Sequence, residues 1–333
     1  MNIKAFLSLV AFPTLVMLAC SPPSAARNNQ PTTQALFRFQ SNFWINLHQT
    51  LFREAALRRA NNTQSASASR APLPEAELSE GERRAWDHAI DYYAQNFIGR
   101  RLVFDQQLTH INNILSVQRG PAKIASPALP QELVLTLEQA APVYRRHWWP
   151  AHDKANQAWI AAMKPAVERM GPDVISQLEK LFKHRWSAPQ LVDVTYFVAE
   201  VGHAYTTEHP GHTTIASSES TLQVTDGLET IFHEGTHTLT DEVQDALDVE
   251  CKAQGKTCGD LWHALQFFTV GDVVKQRLKK DGVTDFTPYA YKYGLYKRGE
   301  WPRFIKALEQ DWPPYLEGKT SFAEAIKQLI RDI

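Results

Sequence analysis

Two histidines four residues apart, with a glutamate directly after the first, form His233-Glu234-Gly235-Thr236-His237. On a helix, residues i and i+4 stack on one face. Both imidazoles can then reach one zinc ion at about 2.0–2.1 Å. Glu234 stands one step round the helix, so its carboxylate can reach a zinc-held water without ligating the metal. Zinc lowers the pKa of such a water toward about 7, and a carboxylate at that position takes its proton. The spacing predicts water-activating hydrolysis, with His233 and His237 as ligands and Glu234 as the base. An H-E-x-x-H arises by chance in about one chain in 40 of this composition, so its surroundings must carry the argument further.

Those surroundings predict a helix. Asp226 and Glu229 read as its N-cap and capping partner. Leu228, Ile231, Phe232 and Leu239 supply an apolar face, and no proline interrupts it. Upstream, Leu191 to Ala199 is β-branched and aromatic, and His212 to Ser217 repeats that signal over a shorter stretch; both read as strands. Residues 35–186 read as helical. Trp86, Ile90, Tyr93 and Phe97 recur as a buried helix face, and Phe104, Leu108, Ile111 and Leu115 continue one beyond Gly99. Asn61 to Ala71 is a small, polar loop. Pro150 and Pro172 each mark a helix start, where a missing N–H costs nothing. From Asp226 to the end the pattern is helical again, with Ser321 and Glu324 capping the last helix. The expected fold is mostly α (α+β), with a helical region over 35–186 and a catalytic region with a small sheet over 187–333.

Thr230-Ile231-Phe232-His233-Glu234-Gly235-Thr236-His237-Thr238-Leu239 resembles the active-site helix of the zincin metallopeptidases, fitting their extended consensus at every position. The resemblance spans residues 210–280 and implies a peptide or protein substrate. It also implies an edge strand that pairs with the substrate backbone, a part His212–Ser217 can play. The third zinc ligand sets the subclass. Metzincins place a histidine six residues after the second ligand, and here that residue is Val243. Gluzincins use a glutamate on a second helix, commonly 19–20 residues on, and here those residues are Lys256 and Thr257. The next helix, from Asp260 to about Lys280, offers His263 and Asp272 on opposite faces. His263 is favoured, since imidazole suits zinc and Asp260 one turn earlier can orient it. Asp272 is the alternative and would keep a gluzincin-like acidic ligand. Gly282-Val283-Thr284-Asp285 ranks third, as a faint aspzincin-like pattern. Tyr289, Tyr293 and Tyr296 share a helical face; Tyr289 is the candidate oxyanion donor, and the same stripe also reads as core.

Other polar groups read more simply. His263 also reads as a helix histidine packed beside Trp262. His147 and His152 flank Trp148-Trp149-Pro150, but five-residue spacing across a helix start is poor ligand geometry. Asp241, Glu242, Asp245, Asp248 and Glu250 read as a solvated connector.

The N-terminus predicts the compartment. Met1 to Lys4 is basic and Ala5 to Ala19 is apolar, too short to span a bilayer, so residues 1–19 read as a signal peptide. Val16-Met17-Leu18-Ala19-Cys20 resembles a bacterial lipobox, with Cys20 as the lipidated residue. By its resemblance to enterobacterial lipoprotein sorting, Ser21 after the cysteine implies the outer membrane. Residues 20–34 then form a lipidated tether rich in Pro, Ser and Asn. In such an oxidising compartment Cys251 and Cys258 most simply form a disulfide. With 35 basic and 36 acidic residues interspersed, the chain lacks the basic stripe of a nucleic-acid binder. The sequence therefore predicts a membrane-anchored zinc peptidase in the bacterial cell envelope. The competing expectation is a non-enzymatic helical lipoprotein whose HEGTH is accidental.

Overall fold

The computed structural model describes residues 35–62, 73, 76–120, 122–187, 189–199, 203–207 and 211–333. The signal peptide, Cys20, the tether and most of the polar loop lie outside the described residues. The chain is mostly helical with one small mixed sheet. Strand β1 is Phe37–Gln40, β2 is Gln190–Thr195, β3 is Ala204–Thr207 and β4 is His212–Ala216. Their order is β1-β2-β4-β3. The β1–β2 and β2–β4 pairs are parallel, and β3 runs antiparallel to β4. β1 comes from the first sequence region and β2 from the second, and residues 35–333 form one unit.

The sheet separates two kinds of packing, because successive strand residues point to opposite faces. On one face Phe37 meets Trp186 and Phe232, and Phe39 meets Trp159. On the other, helices α1 (Phe43–Asn62) and α3 (Gln106–Val117) cover a buried polar network. Asp193 Oδ2 lies 2.8 Å from His212 Nε2, and Asp193 Oδ1 accepts from Gln40. Tyr205 donates to Asn112 Oδ1 on α3 and accepts from Gln49 on α1. A fully buried polar group must find partners, and here the strand alternation sorts these groups to one side.

Helix α2 (Glu80–Asn96) buries Trp86, Ile90 and Tyr93, with Phe97 at its C-cap, as the periodicity predicts. Ser79 and Glu82 form its capping box, which was not anticipated. Phe104 departs from expectation. It is 72% exposed in the turn before α3, while Leu108, Ile111 and Leu115 are buried. Helix α4 is Gln131–His147, and α5 runs unbroken from Trp149 to Phe182. Pro150 does sit in its first turn, but Pro172 starts no new helix. Pro165 and Pro172 both lie inside α5. An internal proline costs about 3 kcal/mol or more. The buried face of Trp159, Met163, Val167, Met170, Val174, Ile175 and Leu178 holds the helix together across them.

The motif helix α6 is Val224–Thr236 and packs against the sheet, α5 and α8 (Leu261–Lys280). Its start is tight. The Leu222 carbonyl accepts from the Trp159 indole at 2.8 Å, and a Cβ added at Gly227 would stand 2.4 Å from that oxygen. Val224 takes a φ of 49°, unusual for a β-branched residue. Between α6 and α8 lies α7 (Asp241–Ala253), so the acidic run is a helix face and not a connector. Asp241, Glu242, Asp245 and Asp248 are solvent-exposed, while Val243, Leu247 and Cys251 are buried. The Cys251–Cys258 disulfide, with Cα atoms 6.0 Å apart, ties α7 to the segment that leads into α8. The chain closes with α9 (Tyr289–Lys292), α10 (Ile305–Asp311), α11 (Pro313–Leu316) and α12 (Phe322–Asp332), the last capped by Ser321 and Glu324.

Gly235, inside the motif, tests this packing. An added Cβ would stand 2.6 Å from Trp186 Cη2 and 3.0 Å from the Phe37 ring. Overpacking of this kind typically costs about 1–3 kcal/mol. Gly235→Ala should lower the midpoint of urea denaturation by a corresponding amount, and an unchanged midpoint would contradict the contact.

Candidate metal centre

His233 in the last turn of α6, and His237 at its C-cap where a 3-10 turn (His237–Leu239) begins, meet His263 in the first turn of α8. One ligand atom from each of the three lies within 4.8 Å of the others. His233 Nε2 and His263 Nε2 are 3.3 Å apart. Two nitrogens bound tetrahedrally at zinc distances would stand about 3.3–3.4 Å apart. Three protein ligands with a fourth position open is the pattern of a catalytic zinc centre.

The neighbours of each ring explain its placement. Phe267, one turn after His263 on α8, stacks on His233 with centroids 3.7 Å apart. Gln266, fully buried, donates from Nε2 to the His233 carbonyl at 2.8 Å and so clamps α8 to the motif. Trp262 lies beside both His237 and His263. Asp260 Oδ2 is 3.7 Å from His263 Nδ1 and accepts from the Trp301 indole at 2.9 Å. Asp260 thus stands where an orienting carboxylate was expected, itself held by Trp301.

Burial holds the His233 and His237 imidazoles neutral. Burial first, then repulsion from His237 and His263, drives His233 well below the usual histidine range. Burial and His263 take His237 down to about 3. Neutral imidazole is the form that binds a metal. Glu234 responds in the opposite direction. Burial pushes it up to about 7, partly offset by a hydrogen bond from Thr206. Thr206 Oγ1 donates to Glu234 Oε2 at 2.9 Å and lies 2.8 Å from Thr213 Oγ1. Glu234 Oε2 is also 4.0 Å from His237 Nε2. The carboxylate therefore lies beside the imidazole cluster and outside it.

Asp272 is not among the converging groups. It is half-buried farther along α8, where Gln276 is its neighbour, and burial raises its pKa. The exposed turn at Gly282-Val283-Thr284-Asp285 contributes nothing to the cluster either. His147 contacts Glu82, whereas His152 bonds the Tyr144 hydroxyl and stacks on Tyr196, so the two serve separate structural contacts. His212–Ala216 is an interior strand, and the sheet edge next to α6 is β3, which carries Thr206. Asp226 and Glu229 do not cap α6; Gln223 precedes it, without a side-chain cap. Both acids are buried in the helix. Glu229 Oε2 accepts the Tyr289 N–H at 2.7 Å, and Asp226 Oδ2 accepts from Lys292 and the Tyr293 hydroxyl.

The tyrosines do not share one helix. α9 is a single turn, Gly294 at φ 66° breaks it, and Tyr296 falls in the next turn. Tyr289 stands 6.4 Å from Phe267, ring to ring, with its hydroxyl beside Thr221. Sequence reasoning missed Thr206, Gln266 and Phe267. Only Phe267 carried a usable signal, its i+4 spacing from His263. No family model, no curated protein and no solved structure matches the chain.

Two outcomes follow. His263→Ala should lose most zinc binding in an equilibrium titration, and Asp272→Ala should lose little; equal losses would place the third ligand elsewhere. Glu229 gives a pH dependence. Burial pushes its carboxyl up to about 8, from an ordinary value near 4.5. The folded chain thus holds a proton that the unfolded chain releases. The stability this confers is full below pH 4.5 and is lost as pH rises through about 8. Glu229→Gln keeps an acceptor for Tyr289 without this titration. Its stability relative to wild type should therefore rise between pH 5 and 8, as read by denaturation at each pH.

Proposed function

We propose that the protein is a zinc-dependent hydrolase acting on peptide bonds, anchored to the bacterial cell envelope through Cys20. The observation that carries the reading is the convergence of His233, His237 and His263 beside a carboxylate, Glu234, that lies outside the cluster. Zinc held there would supply Lewis acidity to a substrate carbonyl and to a water. The chain's own residues supply the rest. Glu234, near neutrality and steadied by Thr206, takes a proton from water and returns it to the leaving amine. Phe267 stacks on His233 and Trp262 on His263, so each of these imidazoles has an aromatic neighbour on one face.

The peptide assignment draws support from the zincin-like sequence of the motif helix. Strand β3 stands at the end of the sheet order, and all four of its residues are buried. Thr206 belongs to this strand and bonds Glu234, which fixes the edge relative to the base. The resemblance of Thr230–Leu239 to the zincin helix agrees with this arrangement, and the disulfide suits an oxidising compartment.

Glu234→Gln separates this reading from a helical lipoprotein with an accidental motif. General acid–base catalysis contributes about 10²–10⁴-fold. Peptide hydrolysis should fall at least that far, while zinc content stays near that of wild type because no ligand is removed. Full zinc with full activity in Glu234→Gln would take the reaction away from this helix. A wild-type chain that binds no zinc would end the hydrolase reading.

A further inference from the structure

A row of aromatic rings leads away from the histidine cluster. Phe267 stacks on His233, Tyr289 lies 6.4 Å from Phe267 at 22°, and Tyr293 follows at 4.5 Å from Tyr289. All three are half-buried, unlike the core rings Trp44 and Phe304, which are fully enclosed. Apolar packing alone would not hold such a row at the surface. Two buried acids of α6 pin it. Glu229, one turn before His233, takes the backbone N–H of Tyr289. Asp226, two turns before, takes the Tyr293 hydroxyl and the Lys292 ammonium, both at 2.7 Å. Gly271 on α8 leaves room for this: an added Cβ would stand 2.8 Å from Pro288 and 3.1 Å from Glu229 Oε1. The helix that carries the zinc-binding histidines therefore also sets the distance from them to the row.

Placing two acids in the interior is costly, and each is bonded here through one of its oxygens. Leaving aromatic surface half in water forgoes about 25 cal/mol per Å² of burial. A ligand that covers the row recovers that burial, and a flat ring does so with offset or edge-to-face geometry. We propose that the site selects substrates bearing an aromatic ring, or a comparably flat apolar side chain, next to the bond that is cut, and that Phe267, Tyr289 and Tyr293 form the shelf it lies on. This rests on the hydrolase reading and narrows its substrate class.

Two zinc-chelating probes with one head group test it: acetohydroxamate and N-hydroxy-3-phenylpropanamide, titrated calorimetrically into the zinc-loaded protein. The phenyl compound should bind at least about tenfold tighter, the gain expected from burying one ring. Tyr289→Ala should remove most of that ratio, and Tyr289→Phe should keep it. Circular dichroism and zinc content verify that each variant is folded. Should Tyr289→Ala fail to fold, Tyr293→Ala is read on the same terms. Equal affinities of the two probes for wild type, or a full ratio retained in the alanine variant, would overturn the shelf and leave the hydrolase standing. Protein that takes up no zinc would overturn both.

Discussion

Helix α6 is buried on every side from Asp226 to Thr236, and the site depends on that enclosure. A helix within a core has no face free for loose contacts. Its start is pressed against the Leu222 carbonyl at Gly227, and its end against Trp186 and Phe37 at Gly235. Gln266 bonds the His233 carbonyl and joins the helix to α8. Each contact removes a freedom that would otherwise blur the distance between imidazoles. The 3.3 Å approach of His233 and His263 is the product of this packing.

Three acids on that one helix meet three environments. Asp226 faces Lys292 and Tyr293 and becomes a tether. Glu229 has one oxygen on the Tyr289 N–H, and its burial favours the neutral acid. Glu234 has the Thr206 hydroxyl to favour its charge, against near-complete burial. Such divergent surroundings give like groups different tasks. Glu234 alone of the three stands beside the imidazole cluster, 4.0 Å from His237 Nε2.

The sheet contributes in a similar divided way. Its apolar face, through Phe37 and Phe39, meets α5, α6 and their flanking rings. Its opposite face carries Asp193, His212 and Tyr205 in a closed polar network with α1 and α3. Fully satisfied buried networks rigidify the elements that share them. β3 lies between these roles, with Tyr205 in the network and Thr206 bonded to the Glu234 carboxylate. Rigidity on one face is thus passed through a single strand to Glu234.

Local chemistry was legible in the sequence wherever it depended on near neighbours. The i, i+4 histidines, the face of α2 and the cap at Ser321 each rest on contacts within a few residues, and the mostly helical class followed from their sum. Pro172 misled for the opposite reason: its helix-breaking tendency is local, but the long packed face of α5 outweighed it. β1 and β3 are four residues each, too short for alternation to stand out, and only their partners make them strands. Asp226 and Glu229 looked like caps because spacing cannot tell a helix start from its interior. The choice of His263 over Asp272 needed the crossing of α6 and α8, which brings the first turn of α8 to the histidines and carries Asp272 away. Residue type and spacing determined which groups could share a metal. The meeting of remote elements decided which ones do converge, because burial and distance are properties of the packed chain and not of its order.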